Sequence, residues 1–223
     1  MRHFSVELEQ LQQMLLQMGG LVESAIHRSV RSFTERDQNL ANQVLQDEER
    51  INRMEIEIDK FGTRLLLLNQ PMARDLRFIT AGLKINTDLE RMGDLAVNIA
   101  ERSLSLMSSP TIKPMIDMPR MASLVESMVL RSLDAFVKGD EPTAQEVLVS
   151  DDEVDHLRDS IYKELVDFMQ KDPSTVQRAV DLIFVARDLE RIADHATNIA
   201  EDVVYLVKGV DVRHRGVAET AEP

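Results

Sequence analysis

The chain has no cysteine and no tryptophan, and only 8 glycines and 7 prolines among its 223 residues. Without cysteine there can be no disulfide, iron–sulfur cluster or thiolate zinc site. So little glycine and proline, with no clear alternation of apolar and polar residues, points to an all-α protein. Apolar runs are short as well: the longest, "LLLL" at 65–68, is far below the roughly 18 residues of a membrane-spanning helix. The opening "MRHFSVELEQ" has no apolar core of a secretion signal. A cytoplasmic chain is expected, with membrane contact only through a partner. Positive charge is scarce too. Lys and Arg number 26 against 39 Asp and Glu, a net charge of −13, which repels nucleic acid and anionic lipid and favours cations or basic protein patches. No Gly-rich phosphate loop, GxSxG or HExxH is found.

What the chain does contain is written twice. "DLERMGDLAVNIAE" at 88–101 returns as "DLERIADHATNIAE" at 188–201, with ten of fourteen letters identical. Upstream, Phe33, Asp37, Val44, Ile51 and Ile58 recur 103 residues later as Phe136, Asp140, Val147, Val154 and Ile161. Each half reads as three helices. The first begins near Phe4 with a stripe at Leu8, Leu11, Leu15, Met18, Val22, Ile26 and Phe33. Gly19 and Gly20 predict a kink or a close helix contact within it. Asp37 is placed to cap the second helix, which ends near Asn69. Pro71 suits the first turn of the third, which runs to about Met107. In the second half, Pro173 stands behind the N-cap Asp172.

The domain reading is therefore a first three-helix repeat over 1–107, a proline-bearing linker at 108–119 and a second repeat over 120–208. A flexible tail is expected over 209–223. One apolar stripe per helix closes around a core as two tandem three-helix bundles, six long helices in all, with a continuous six-helix bundle as the alternative.

On the third helix of the first half, Glu90, Asp94 and Glu101 fall on one face with Asn98 beside them. Glu190, Asp194, Glu201 and Asn198 do the same in the second half. Like charges four residues apart repel, and a solvated acidic face offset by Arg91 and Arg191 is the plain reading of one such pair. The recurrence favours a column of oxygen ligands. The second helix adds Glu48, Asn52, Glu55 and Asp59. Its counterpart adds Asp151 and Asp155, with Asp159 slightly rotated. Opposed acidic columns of this kind suit Mg²⁺, Ca²⁺, Mn²⁺ or iron. Asp155 stands where the first half has Asn52, so the second set is expected to hold metal more strongly. His195 reads as a paired surface or border residue. "EVDH" at 153–156 is a single ExxH, whereas a di-iron oxidase needs two.

"QPMARDLRFITAGLKINTDLERMGDLAVNIAE" and "DPSTVQRAVDLIFVARDLERIADHATNIAE", with "DEERINRMEIEID" before them, resemble the signatures of the PhoU family over residues 4–208. The resemblance implies two three-helix bundles, a homodimer, and an adaptor rather than an enzyme. Such an adaptor acts between the ATPase subunit of a phosphate ABC transporter and a phosphate-sensing histidine kinase, and represses the phosphate-starvation response. It further implies ions such as iron, Mn, Mg, Ca or Zn at E/DxxxD motifs, here Glu90 with Asp94 and Glu190 with Asp194. The "ARDLR" after Pro71 has no match in the "TVQRAVD" after Pro173. A metal-dependent enzyme, oxidative or hydrolytic, is the alternative.

Overall fold

The computed structural model describes residues 2–112 and 117–210. Six long helices follow in chain order: α1 (Arg2–Glu35), α2 (Gln38–Asn69), α3 (Ala73–Met107), α4 (Asp117–Lys138), α5 (Glu141–Lys171) and α6 (Val176–Lys208). There is no strand among the described residues. Helices α1–α3 pack on one another as one unit and α4–α6 as a second.

Capping residues place the corners. The Asp37 side chain accepts from Asn39 N at the start of α2, and Asp140 accepts from Thr143 N at the start of α5. Both satisfy donors that a first helical turn leaves open. Two boundaries differ from the sequence reading. Pro71 stands before α3 rather than in its first turn, because Met72 is extended (φ −122°, ψ 153°) and serves as the N-cap. Asp172 does cap, through Ser174 N, but it opens a short 3₁₀ turn at Pro173–Thr175 before α6 begins. Helix α4 starts at Asp117, inside the stretch read as linker. Gly209 ends α6 in the left-handed conformation (φ 69°), and the rest of the expected tail, from 211, lies outside the described residues.

The stripe on α1 is core: Leu11, Leu15, Met18, Val22 and Ile26 are buried, and Leu8 and Phe33 are half-buried against them. Gly19 marks a close helix contact. A Cβ there would come within 2.8 Å of Leu133 on α4, whereas nothing lies within 4 Å of one on Gly20.

The two units are joined along α3 and α6, which run antiparallel. Lys84 pairs with Asp202, Asp88 with His195, and Arg102 with Asp188, so numbers rise on one helix as they fall on the other. The buried apolar residues of both units form one continuous cluster.

Candidate functional site

The repeated DLER segment is explained by four neighbours in four directions. Leu89 and Leu189 are core. Glu90 and Glu190 are half-buried at the edges facing α2 and α5. Arg91 and Arg191 are exposed. The leading aspartates, Asp88 and Asp188, point across to the other repeat. Asp88 Oδ1 accepts from His195 Nδ1 at 2.8 Å and from Asn198 Nδ2 at 3.2 Å. Asp188 is buried with the Arg102 guanidinium at 3.7 Å. Burial pushes the Asp188 carboxyl up, and the positive charge of Arg102 pulls it partly back.

His195 is paired, as the sequence reading has it, and of the two places that reading allowed it takes the border: it is buried between the repeats, not at the surface. Asp88, Asp188, Lys84 and Arg102 were not singled out from sequence. The available signal was the leading Asp of each DLER copy, a charge on the side of the helix turned from solvent.

In the first repeat, Glu90 is held above the usual carboxylate range by burial, then by the charges of Asp94 and Glu55. Burial also raises Asp94. Helices α2 and α3 are pinned together at this level by Asn86, whose buried amide donates to the Glu55 carbonyl at 3.0 Å. They also approach closely at Gly93, where a Cβ would stand 3.2 Å from Ile51. Asn52, one turn before Glu55, has a buried Oδ1 with no hydrogen-bond partner.

In the second repeat, Asp151 is pushed up to about 6 by burial first, then by Asp194, Asp155, Glu190 and Asp152. Glu190 and Asp194 are raised mainly by burial. Here, however, the cluster contains its own cation. Arg158 reaches Glu190 at 2.7 Å, and Asp155 and Asp159 each at 3.0 Å. With the 103-residue offset, Arg158 stands where the first repeat has Glu55. The expectation that the second set holds metal more strongly considered Asp155 and overlooked this arginine.

The remaining candidates are dispersed. Asp59, Asn98 and Glu101 are exposed. Asn198 and Glu201 line the groove between α3 and α6, beside Lys84 and Asp202, so the column splits between two grooves. His156, of the single ExxH, is exposed and bonds the carbonyl of Asp152 one turn back.

The donor chemistry of the first set suits a hard cation: two raised carboxyls, Glu55 and an orphaned amide oxygen, with no Lys or Arg ion-paired to Glu55, Glu90 or Asp94 in the described structure. The side chains as placed do not converge, for no three Asp, Glu or His among the described residues are gathered closely enough to hold an ion. Among those residues, no helix is long and apolar enough to cross a membrane.

Known proteins match this arrangement along its length. The family model described as the PhoU domain matches residues 15–103 and again 118–203. A phosphate-specific transport system accessory protein PhoU homolog from Pseudomonas aeruginosa is 40% identical over 222 residues, covering 99% of this chain and 92% of that protein. One of the same description from Aquifex aeolicus is 39% identical, covering 97% and 98%. The crystal structure of PhoU from Pseudomonas aeruginosa superposes with a TM-score of 0.91 at 40% identity, over 93% of this chain and 100% of that one. That of the phosphate transport system regulatory protein PhoU from Streptococcus pneumoniae gives 0.86 at 29% identity, over 94% and 99%.

Proposed function

The chain belongs to the PhoU family, and from that premise we propose that it is a non-enzymatic accessory regulator of phosphate-specific transport. It acts in the cytoplasm as a homodimer. It binds the ATPase subunit of the phosphate transporter and a phosphate-responsive histidine kinase, and holds them in the state that represses the starvation response. The observation that carries the reading is the match to accessory proteins of phosphate-specific transport over nearly the full length of both chains.

The physical case for an adaptor lies in the fold. A binder shifts a partner's equilibrium only by its differential affinity for the partner's two states. That requires a rigid, extended surface. Two bundles joined along α3 and α6 by ion pairs with buried or half-buried carboxylates supply one.

Metal belongs to the proposal as a stabiliser of that surface, held at Glu55, Glu90 and Asp94 with Asn52. Bound there, an ion would supply the positive charge that the first repeat lacks and the second obtains from Arg158.

The test uses a phosphate-regulated reporter in cells lacking the endogenous protein, grown in excess phosphate. Repression by the wild-type chain is expected. Loss of repression is expected from Asp94→Asn, with helical content unchanged. A wild-type chain that binds the transporter yet leaves the reporter active would remove the kinase arm and leave restraint of transport. Failure to bind either partner would overturn the proposal.

A further inference from the structure

At one end of the molecule, where α1, α3 and α6 meet the chain that follows α3, lies a cavity of about 210 Å³. Its walls are mostly apolar, with Phe33, Leu106 and Leu182 among them; Ser103 and the guanidinium-bearing Arg36 and Arg178 also line it. The duplication provides an internal comparison, because the other repeat shows what stands at the same positions.

Three differences coincide there. Ser103 is 1% exposed and its Oγ has no hydrogen-bond partner. Its counterpart, 100 residues on, is the fully buried Val203. Three other buried helix serines, Ser29, Ser32 and Ser132, bond carbonyls of their own helices. A buried hydroxyl left unpaired is costly, so Ser103 marks a departure from the packing of the other repeat at this wall.

Arg36 occupies a left-handed turn position (φ 55°), and its counterpart is Gly139 (φ 63°). The turns are the same: Asp37 N bonds Ser32 O, and Asp140 N bonds Ala135 O. Glycine is the residue such a turn prefers. The first repeat accepts backbone strain in order to place a guanidinium here. Arg36 Nη2 donates to the carbonyls of Met107 and Ser109, and Arg178 Nη1 to that of Pro110. Both side chains are thereby fixed at the cavity with N–H donors left over.

The third difference is an aromatic ring. Phe136, the counterpart of Phe33, is stacked on Phe78 of α3 at 5.5 Å with planes 12° apart. Phe33 has no ring stacked on it in the described structure, and the cavity lies against it.

From these coincident features we propose that the cavity is a binding site for a small organic anion: a ring-sized apolar body carrying one oxyanion head, either carboxylate or phosphate monoester. The body lies against Phe33 and Leu182, beside Arg178, which stands where the other repeat has Phe78. The head is gripped by Arg36 and Arg178, whose planar forks suit a carboxylate or phosphate. A cavity of about 150 Å³ already accommodates benzene, so this one takes a ring with a short substituent. Because α1, α3 and α6 all contribute, an occupant ties the two repeats together where the chain passes between them.

Titration calorimetry and thermal shift on the full chain, with benzoate, phenyl phosphate, benzyl alcohol and inorganic phosphate, test this. At least one of the two ring anions should bind saturably and raise the melting temperature, and the comparison of benzoate with phenyl phosphate identifies the head. Benzyl alcohol, lacking the charge, and inorganic phosphate, lacking the ring, should each bind about tenfold more weakly or worse. Ser103→Val and Arg36→Gly copy the second repeat. Arg36→Gly should weaken the ring anion by about tenfold, whereas Ser103→Val, whose hydroxyl the cavity does not reach, should leave it unchanged. Leu182→Phe, which fills the space, should abolish binding.

No saturable binding of either ring anion, or binding that Arg36→Gly and Leu182→Phe leave unchanged, overturns the proposal. So does inorganic phosphate binding as tightly as phenyl phosphate. None of these outcomes bears on the role in phosphate transport, which rests on the match to known accessory proteins.

Discussion

Asp88 and His195 meet at 2.8 Å across the seam between α3 and α6, both largely withdrawn from solvent. Asn198 adds a second donor to the same carboxylate oxygen. A buried hydrogen bond to a charged group is worth about 1.5–3 kcal/mol, and removing one side leaves the other unsatisfied. Asp88→Ala should therefore lower unfolding free energy by about 2–3 kcal/mol. Arg91→Ala, three residues on but exposed, should change it by under about 0.5 kcal/mol. Denaturant titrations of the two variants check the contrast. Equal effects would mean that the leading Asp of the motif is not an interface residue.

The adjacent glycines of α1 offer a second comparison. Gly20→Ala meets nothing within 4 Å and should stabilise by about 0.5–1 kcal/mol, since Gly is the poorer helix former. Gly19→Val would drive side-chain atoms into Leu133, which a Cβ alone would approach to 2.8 Å. Overpacking of that kind destabilises by about 1–3 kcal/mol. Opposite shifts in melting temperature are expected. Two stabilising shifts would show that α1 and α4 are not in close contact at this point.

The fold was largely legible because the apolar stripes of the helices have a simple period, and because duplication let each half check the other. Asp37 and Asp140 were readable as caps from chemistry alone. Pro71 was misplaced by two residues because an extended Met72 is as compatible with that sequence as a helical one. The acidic residues were legible as a set but not in their directions. Asn198 and Glu201 share a helical face with Asp194, yet face a different groove, since two helices crowd α6 from different sides. Arg158 was missed because its i,i+3 partner Asp155 was read only as a metal ligand, and its reach to Glu190 on α6 shows only once the two helices are packed. The cavity was invisible for a related reason: it is defined by what Ser103 and Phe33 lack, and that shows only once their neighbours are placed.

Asp151 gives the clearest dependence on pH. Its carboxyl is raised from 3.8 to about 6 in the folded protein. A raised carboxyl binds protons more tightly when folded, so its contribution favours the folded state at low pH. That contribution falls away as pH rises from about 4 to about 6, after which the folded protein carries a penalty. For a half-exposed group, solvent screening reduces the nominal value to on the order of 1–2 kcal/mol. In metal-free protein, Asp151→Asn should therefore stabilise by about that much at pH 7.5 and by nothing measurable below about pH 4. Urea titrations at the two pH values decide it. A stabilisation independent of pH would assign the effect to something other than ionisation.

The exchange between Glu55 and Arg158 predicts which repeat takes up cations. In the first repeat the Glu90 carboxyl is raised by burial first and then by the charges of Asp94 and Glu55. In the second, Arg158 sits at the corresponding place and bonds Glu190, Asp155 and Asp159. A divalent ion entering the first set relieves repulsion; one entering the second must displace a guanidinium already paired. Glu55→Arg should therefore abolish uptake at the first set while sparing the fold. Arg158→Glu should open the second set and raise the total bound. Elemental analysis after dialysis against Mn²⁺ gives the stoichiometry, and circular dichroism gives the helical content. If Glu55→Arg binds as much Mn²⁺ as wild type, the first set is not a cation site. If Arg158→Glu gains none, the arginine is not what keeps ions out of the second.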